Sequence, residues 1–435
     1  MTPQLIGIIG VVILVVLLFS RMWVAMTMFL VGFIGCWLLG GFKMALSIIG
    51  SVPYSQSYNY TMACLPLFVL MGVVLAKSGL GGDLYNFASK LLGRIRGGLA
   101  MATVTACAFF AAVCGDSVTT AVTMGKVSYP EMKRHNYSAK IALGSITAGG
   151  TIGVLIPPSI CFIIYGLITQ QSIGALFMAG MIPGILQALF YIITISIICK
   201  VKPDAAPQGK AIPIKEKAKS AITVWPVVVL FILIMYGMYG GWFTPTEGGA
   251  FGAFFAIVIS FLNKRLTPKD CYGTLKEAAL NTAMIYFLIV SCYIFLRFMA
   301  LSELPAAFSQ FVTRLNAEYN VPGYIIMLAI CVMYIILGCF VDVLAAILLT
   351  ISILYPVVLA LGYSPIWFGV IVVRLMEIGM LSPPFGLNLF AIAKTTKEPM
   401  GTVYRSVIPF LIADVAHVVL LIFIPWLSLW LPSLM

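Results

Sequence analysis

Pro157 and Pro158 stand together in GVLIPPSI, residues 153–160, and Pro383 and Pro384 in GMLSPPFG, residues 379–386; both stretches lie within apolar runs. Proline has no backbone N–H, so each removes the helical partner of the carbonyl four residues back. By that rule the orphaned carbonyls are Gly153 and Val154 in the first stretch and Gly379 and Met380 in the second. Facing lipid, such groups cost several kcal/mol each. Unwound carbonyls with Thr151, Ser159, Ser382 and Asn388 beside them make a hard-oxygen site suited to a small cation such as sodium, and the half-helix that restarts after the prolines offers N–H groups and a positive dipole to an anion. One such break reads equally well as a kink; two in the same pattern point to a site.

CGDSVTTA, residues 114–121, places Asp116, Ser117, Thr119 and Thr120 inside otherwise apolar sequence. A second interruption, Asp342-Val343, follows Gly338 in an equally apolar stretch. Polar clusters at membrane depth are functional hypotheses. The two aspartates could contact an ion, cap helices or tie each segment to its neighbour. Arg374 and Glu377 in VVRLMEIGML are one turn apart, which allows a same-face ion pair. The sharper alternative has Arg374 meeting a substrate carboxylate. Glu247, in TPTEGGAFGA, reads as structural at a helix start, and neither His135 nor His417 has a partner in sequence that suggests a proton relay.

These residues need a membrane around them. The chain of 435 residues is 62% hydrophobic and 9% charged, with a mean hydropathy of +1.08, outside the range of soluble domains. Apolar runs near 4–20, 22–41, 61–77, 139–168, 172–199, 221–241, 246–262, 273–298, 365–393 and 402–432 give ten crossings. Residues 4–20 read as a retained span and not a signal peptide. The polar-centred segments 98–129 and 322–360 read as re-entrant hairpins. The net charge of +12 lies mainly in short loops, among them the one with six lysines between 200 and 219, so it speaks for topology and not for nucleic acid. Counting crossings puts the basic loops on one side, the cytoplasm, with both termini outside. The ten cysteines are scattered without a CxxC pair, which argues against a disulfide framework or a metal site.

Sliding the chain by 226 residues superposes Asp116 on Asp342, Tyr129-Pro130 on Tyr355-Pro356, Gly153 on Gly379, Pro157-Pro158 on Pro383-Pro384 and Ile182-Pro183 on Ile408-Pro409. Each repeat then holds five crossings and a hairpin, and an odd number of crossings inverts the second copy. Inverted repeats with paired broken helices mark secondary transporters that bind substrate near the midplane. The sequence has no GxxxxGK[ST] phosphate loop and no HExxH, and the CGD at 114–116 lacks the glycine of an aspartyl intramembrane protease motif. No enzyme is expected.

GDSVTTAVTMGKVSYPEMKRHNYSAKIALGSITAGGTIGVLIPPS, SIGALFMAGMIPG, TPTEGGAFGAFFA and MEIGMLSPPFGLNLF together resemble the large membrane subunit of a tripartite ATP-independent periplasmic (TRAP) transporter. The resemblance covers nearly the whole chain. It implies an all-α polytopic protein of ten to twelve transmembrane helices, working as a sodium-driven elevator in the bacterial inner membrane without other cofactors. Its partners would be a small four-helix membrane subunit, here a separate chain, and a periplasmic binding protein that delivers a carboxylate. The cargo resembles that of the sialic acid members first and C4-dicarboxylates second; a stand-alone sodium/carboxylate transporter is the rival. Sodium is expected at each hairpin tip against its broken helix, at Ser117, Gly153, Ile156 and Pro158 and at Gly338, Gly379, Ser382 and Pro384, with Asp116, Thr119, Thr151, Ser159, Arg374 and Asn388 toward the substrate. Residues 1–60 and 221–300 resemble the scaffold; 61–200 and 301–435 hold the moving cores, and 201–220 a cytoplasmic loop.

Overall fold

The computed structural model describes residues 2–20, 22–209, 212–318 and 320–435. Lys210 of the basic loop therefore lies outside the described residues. All regular structure among the described residues is helical. The first half runs α1 (Pro3–Phe19), α2 (Val24–Gly40), α3 (Phe42–Ser57), α4 (Cys64–Lys77), α5 (Leu80–Leu92), α6 (Gly98–Cys114), α7 (Ser117–Arg134), α8 (Ala139–Thr151), α9 (Ile160–Thr169) and α10 (Ile173–Val201). The second runs α11 (Ile214–Tyr239), α12 (Pro245–Leu262), α13 (Pro268–Ser302), α14 (Leu304–Glu318), α15 (Gly323–Phe340), α16 (Val343–Ala360), α17 (Pro365–Leu381), α18 (Leu387–Thr396) and α19 (Met400–Phe423), with the short α20 (Trp426–Leu429) after it.

The two halves match element by element. Asp116 and Asp342 are N-caps of α7 and α16, Pro130 and Pro356 lie inside those helices, and Pro183 and Pro409 lie inside α10 and α19. The 35-residue α13 replaces α3 and α4 together, which in the first half are separated by a break at Tyr58–Ala63. α12 starts as its sequence implies. The Thr244 hydroxyl accepts from the Glu247 N–H at 3.3 Å while the Glu247 carboxylate accepts from the Thr244 N–H at 2.7 Å, a reciprocal capping box.

Hydropathy counts ten crossings, but among the described residues seven helical runs are long and apolar enough alone, or eight with the bent α11. The proline pairs divide two expected spans into α8/α9 and α17/α18, and α1 and α2 have 17 residues each. The polar centres of 98–129 and 322–360 do become helix–turn–helix hairpins, α6/α7 and α15/α16. With 18 residues each, α15 and α16 are long enough to cross singly, so their re-entrance rests on the correspondence with α6/α7 and not on length.

The repeats interlock. α7 packs on α8 of its own repeat and on α18 of the other, while α16 packs on α17 of its own repeat and on α9 of the other. A second body of contacts joins α2 to α13, α4 to α12 and α13, and α11 to α12. Each hairpin is thus clasped between one broken helix and the restarted half of its counterpart, which brings both tips to the middle of the fold.

Candidate functional site

At the first break α8 ends at Thr151, continues as a short 3-10 turn at Ile152–Val154, and the chain turns and bends through residues 155–158 before Ser159 caps α9. The tip between α6 and α7 lies directly on it. A Cβ on Gly115 would stand 2.6 Å from the Pro158 carbonyl oxygen, and Gly115 has φ +62°, so only glycine fits there without strain. A Cβ on Gly153 would meet the Asp116 carbonyl and the Thr120 hydroxyl at 3.3 Å each, and Thr120 donates to that same carbonyl at 2.7 Å. Oxygen atoms therefore converge between the tip and the break, as a hard cation requires.

The second site is tighter. A Cβ on Gly379 would stand 2.5 Å from Gly338 Cα and 2.6 Å from the Ile335 carbonyl; one on Gly338 would stand 2.6 Å from the Met376 carbonyl. Two glycine backbones cross here in direct contact. The expectation that the Gly379 carbonyl is orphaned needs correcting, because the Ser382 N–H donates to it at 2.9 Å and closes a 3-10 turn. One lone pair of that oxygen remains for an ion. The Ser382 hydroxyl turns back to the Ile378 carbonyl at 2.7 Å, and the Pro384 carbonyl accepts from the Tyr404 hydroxyl at 2.5 Å.

Of the residues expected near substrate, Asp116 and Thr119 line a cavity of about 320 Å³ between the first tip, the start of α9, α4 and α13, and Leu344 of the second tip reaches its wall. Asp116 also caps α7, its carboxylate accepting from the Thr119 N–H at 2.7 Å; Asp342 caps α16 by accepting from the Leu344 N–H at 3.1 Å. The capping alternative is realised for both aspartates. Leu344, two residues from Asp342, lines the same cavity as Asp116, so the tips converge on one region. Ser117 is buried, with Met380 Sδ 4.0 Å from its hydroxyl, which places tip one beside break two. Ile156 is buried at the break, and Ser159 caps α9.

Thr151, Arg374 and Asn388 stand apart from the cavity. The Thr151 hydroxyl is 3.0 Å from both the Tyr191 hydroxyl and Gln187 Nε2. Arg374 is fully buried, and the same-face pairing with Glu377 is overturned: its guanidinium bonds the Asp414 carboxylate on α19 and donates from Nε to His417 Nδ1 at 3.1 Å. His417 thus has the partner its sequence context did not show. Glu377 and Asn388 are fully buried, without a hydrogen-bond partner for their side-chain oxygens and nitrogen among the described residues. Asp414 was legible as the only acid in the 402–432 span and a natural counter-ion for a buried arginine. Gln187 and Tyr191 carried no such signal.

Outside the apolar region, Glu398 ties the α18–α19 connection to α7. The Tyr129 hydroxyl donates to it at 2.5 Å and holds its carboxyl below the usual range, with Lys133 3.4 Å away.

Residues 11–427 match the family described as tripartite ATP-independent periplasmic transporter, DctM component. The chain belongs to this family. The C4-dicarboxylate TRAP large permease of Pseudomonas aeruginosa is 34% identical over 381 residues, covering 87% of this chain and 88% of the relative. The sialic acid TRAP large permease of Vibrio cholerae is 30% identical, covering 86% and 87%, and the ectoine TRAP large permease of Halomonas elongata is 31% identical, covering 86% of each. The solved YdaH transporter of Alcanivorax borkumensis shares the fold at a TM-score of 0.57 and 12% identity, over 89% of this chain and 88% of that one. These relatives are permeases and not enzymes. Membership makes this chain a multi-pass TRAP large permease and implies the inner membrane as its place, with a small membrane subunit and a periplasmic binding protein as partners.

Two stability predictions follow from the packing. Gly379→Ala should cost about 1–3 kcal/mol as an overpacked contact against immovable backbone, whereas Gly153→Ala, with neighbours at 3.3 Å, should leave the melting temperature in detergent nearly unchanged. Equal melting temperatures for both variants would contradict the asymmetry. Asp414→Leu strands a buried guanidinium and should cost about 3–5 kcal/mol, while Arg374→Met with Asp414→Leu should recover most of it. Thermal unfolding of the single and double variants measures this directly.

Proposed function

We propose that this TRAP permease imports a carboxylate-bearing organic anion with sodium by an elevator motion. The observation that carries the reading is the convergence of two hairpin tips on two broken helices beside one polar-lined cavity. Sodium, as a co-transported ion, would sit where the Asp116 and Pro158 carbonyls and the Thr120 hydroxyl gather, and at the second break near the Gly379 carbonyl. Its charge offsets the Asp116 and Asp342 carboxylates, which otherwise repel an anionic cargo. The moving body is then the interlocked set α6–α10 and α15–α19, and α2, α4, α12 and α13 form the scaffold against which it slides. By the positive-inside rule, the basic loops support reading the Lys77 end of the cavity as cytoplasmic and both termini as periplasmic.

A cavity of about 320 Å³ is at the small end of ligand sites and favours a compact C4-dicarboxylate over the nine-carbon sialic acid. The 34% identity to a C4-dicarboxylate permease points the same way. In liposomes holding this chain and its small subunit, uptake of a labelled C4-dicarboxylate should require both an inward sodium gradient and the binding protein outside. Uptake that persists without sodium sinks the coupling; uptake that persists without the binding protein points to the stand-alone class. Ser117→Ala and Gly153→Ala should raise the sodium concentration for half-maximal uptake several-fold, in line with losing or crowding one charge-assisted contact. Unchanged sodium activation in both would reduce these positions to packing.

A further inference from the structure

The cavity has a scaffold wall that the family sites do not account for. Lys77, in the last turn of α4, bonds Glu277 on α13 at 2.7 Å, and Asn281 lies one turn further along α13 on the same wall. Asp116 and Thr119 of the first tip line the same cavity. Lys77 is the only cation among the described residues lining this cavity. Its side chain is 37% exposed and that of Glu277 is 51% exposed, so the pair lies at the mouth and is held weakly. A flexible lysine stem lets the ammonium swing between two carboxylates a few ångströms apart.

Resting on the reading above, we propose that Lys77 and Glu277 are a carboxylate-exchange pair: Lys77 leaves Glu277 to hold the substrate carboxylate in the cavity, and Glu277 reclaims Lys77 as the substrate departs. An anion here faces Asp116 on one side and Glu277 on the other, and the ammonium is the one group placed to neutralise it. Holding the substrate by Lys77 alone makes a trap; the competing carboxylate of Glu277 makes the contact reversible. Asn281 offers an amide to whichever partner remains. No bond is made or broken beyond the exchange of ion pairs.

The test is inhibition of sodium-driven, binding-protein-dependent uptake by unlabelled dicarboxylate preloaded inside the liposomes, which reads the affinity of the cavity at its open face. Lys77→Gln should raise the internal concentration for half-inhibition roughly tenfold, the loss of one charge-assisted contact. Glu277→Gln should lower it several-fold, because the competitor for Lys77 is gone, and should slow turnover. Lys77→Arg should stay near wild type. Opposite shifts in the two neutral variants support exchange, since a merely structural pair would move both the same way. Parallel shifts, no shift, or a wild type insensitive to internal substrate overturns it. A wild type without any sodium-driven organic-anion uptake overturns the functional reading itself. An exposed pair contributes little to folding, so both variants should elute and melt as wild type.

Discussion

A backbone interrupted within a bilayer finds no water, and every carbonyl it releases must meet protein or an ion. That constraint organises this molecule. The proline pairs at 157–158 and 383–384 release carbonyls by covalent necessity, and the hairpin tips are pressed against those breaks at glycine contacts that admit no side chain. At Gly338 and Gly379 the pressing is backbone on backbone. At the first break a little more room is left, and oxygens from Asp116 and Thr120 turn toward Gly153.

The tips are held there by more than their own repeat. Because α7 packs on α18 and α16 on α9, neither break can shift without carrying the hairpin of the other half. The buried Arg374–Asp414 pair, with His417, Tyr191, Gln187 and Thr151 around it, fastens α8 and α17 to α10 and α19 behind the site. Such a polar knot in an apolar surrounding contributes less net stability than well-packed hydrocarbon of equal volume, yet separating Arg374 from Asp414 leaves each charge without its partner. It therefore holds these helices together as one piece, as the proposed elevator motion would require.

Between that piece and the scaffold lies the polar cavity, with the tip on one wall and α4 and α13 on the other. Its chemistry is nearly balanced, carboxylates of Asp116 and Glu277 against the ammonium of Lys77. On the proposed reading, an anion entering this cavity needs a further cation beside it, which would link co-ion and cargo through electrostatics.

The sequence by itself determined the membrane class, the repeat, the two hairpins and both breaks, because each follows from covalent facts or long-range periodicity: a proline lacks an N–H wherever it stands, and an offset of 226 residues holds in any fold; the family was legible only as a resemblance of long motifs. The sequence also singled out Gly153, Gly379, Asp116 and Thr119, which the structure puts at the breaks and along the cavity. It left open whether the aspartates cap or ligate, and it paired Arg374 with the wrong acid, since spacing along one helix reports only neighbours on that helix. Only the tertiary structure decided that Asp414, 40 residues away, is the arginine's partner, that Thr151 faces α10 and not the tip, and that Lys77 meets Glu277 across the cavity mouth. Those choices depend on which helix faces lie together, and helix packing sets that in three dimensions with no local signal in the chain.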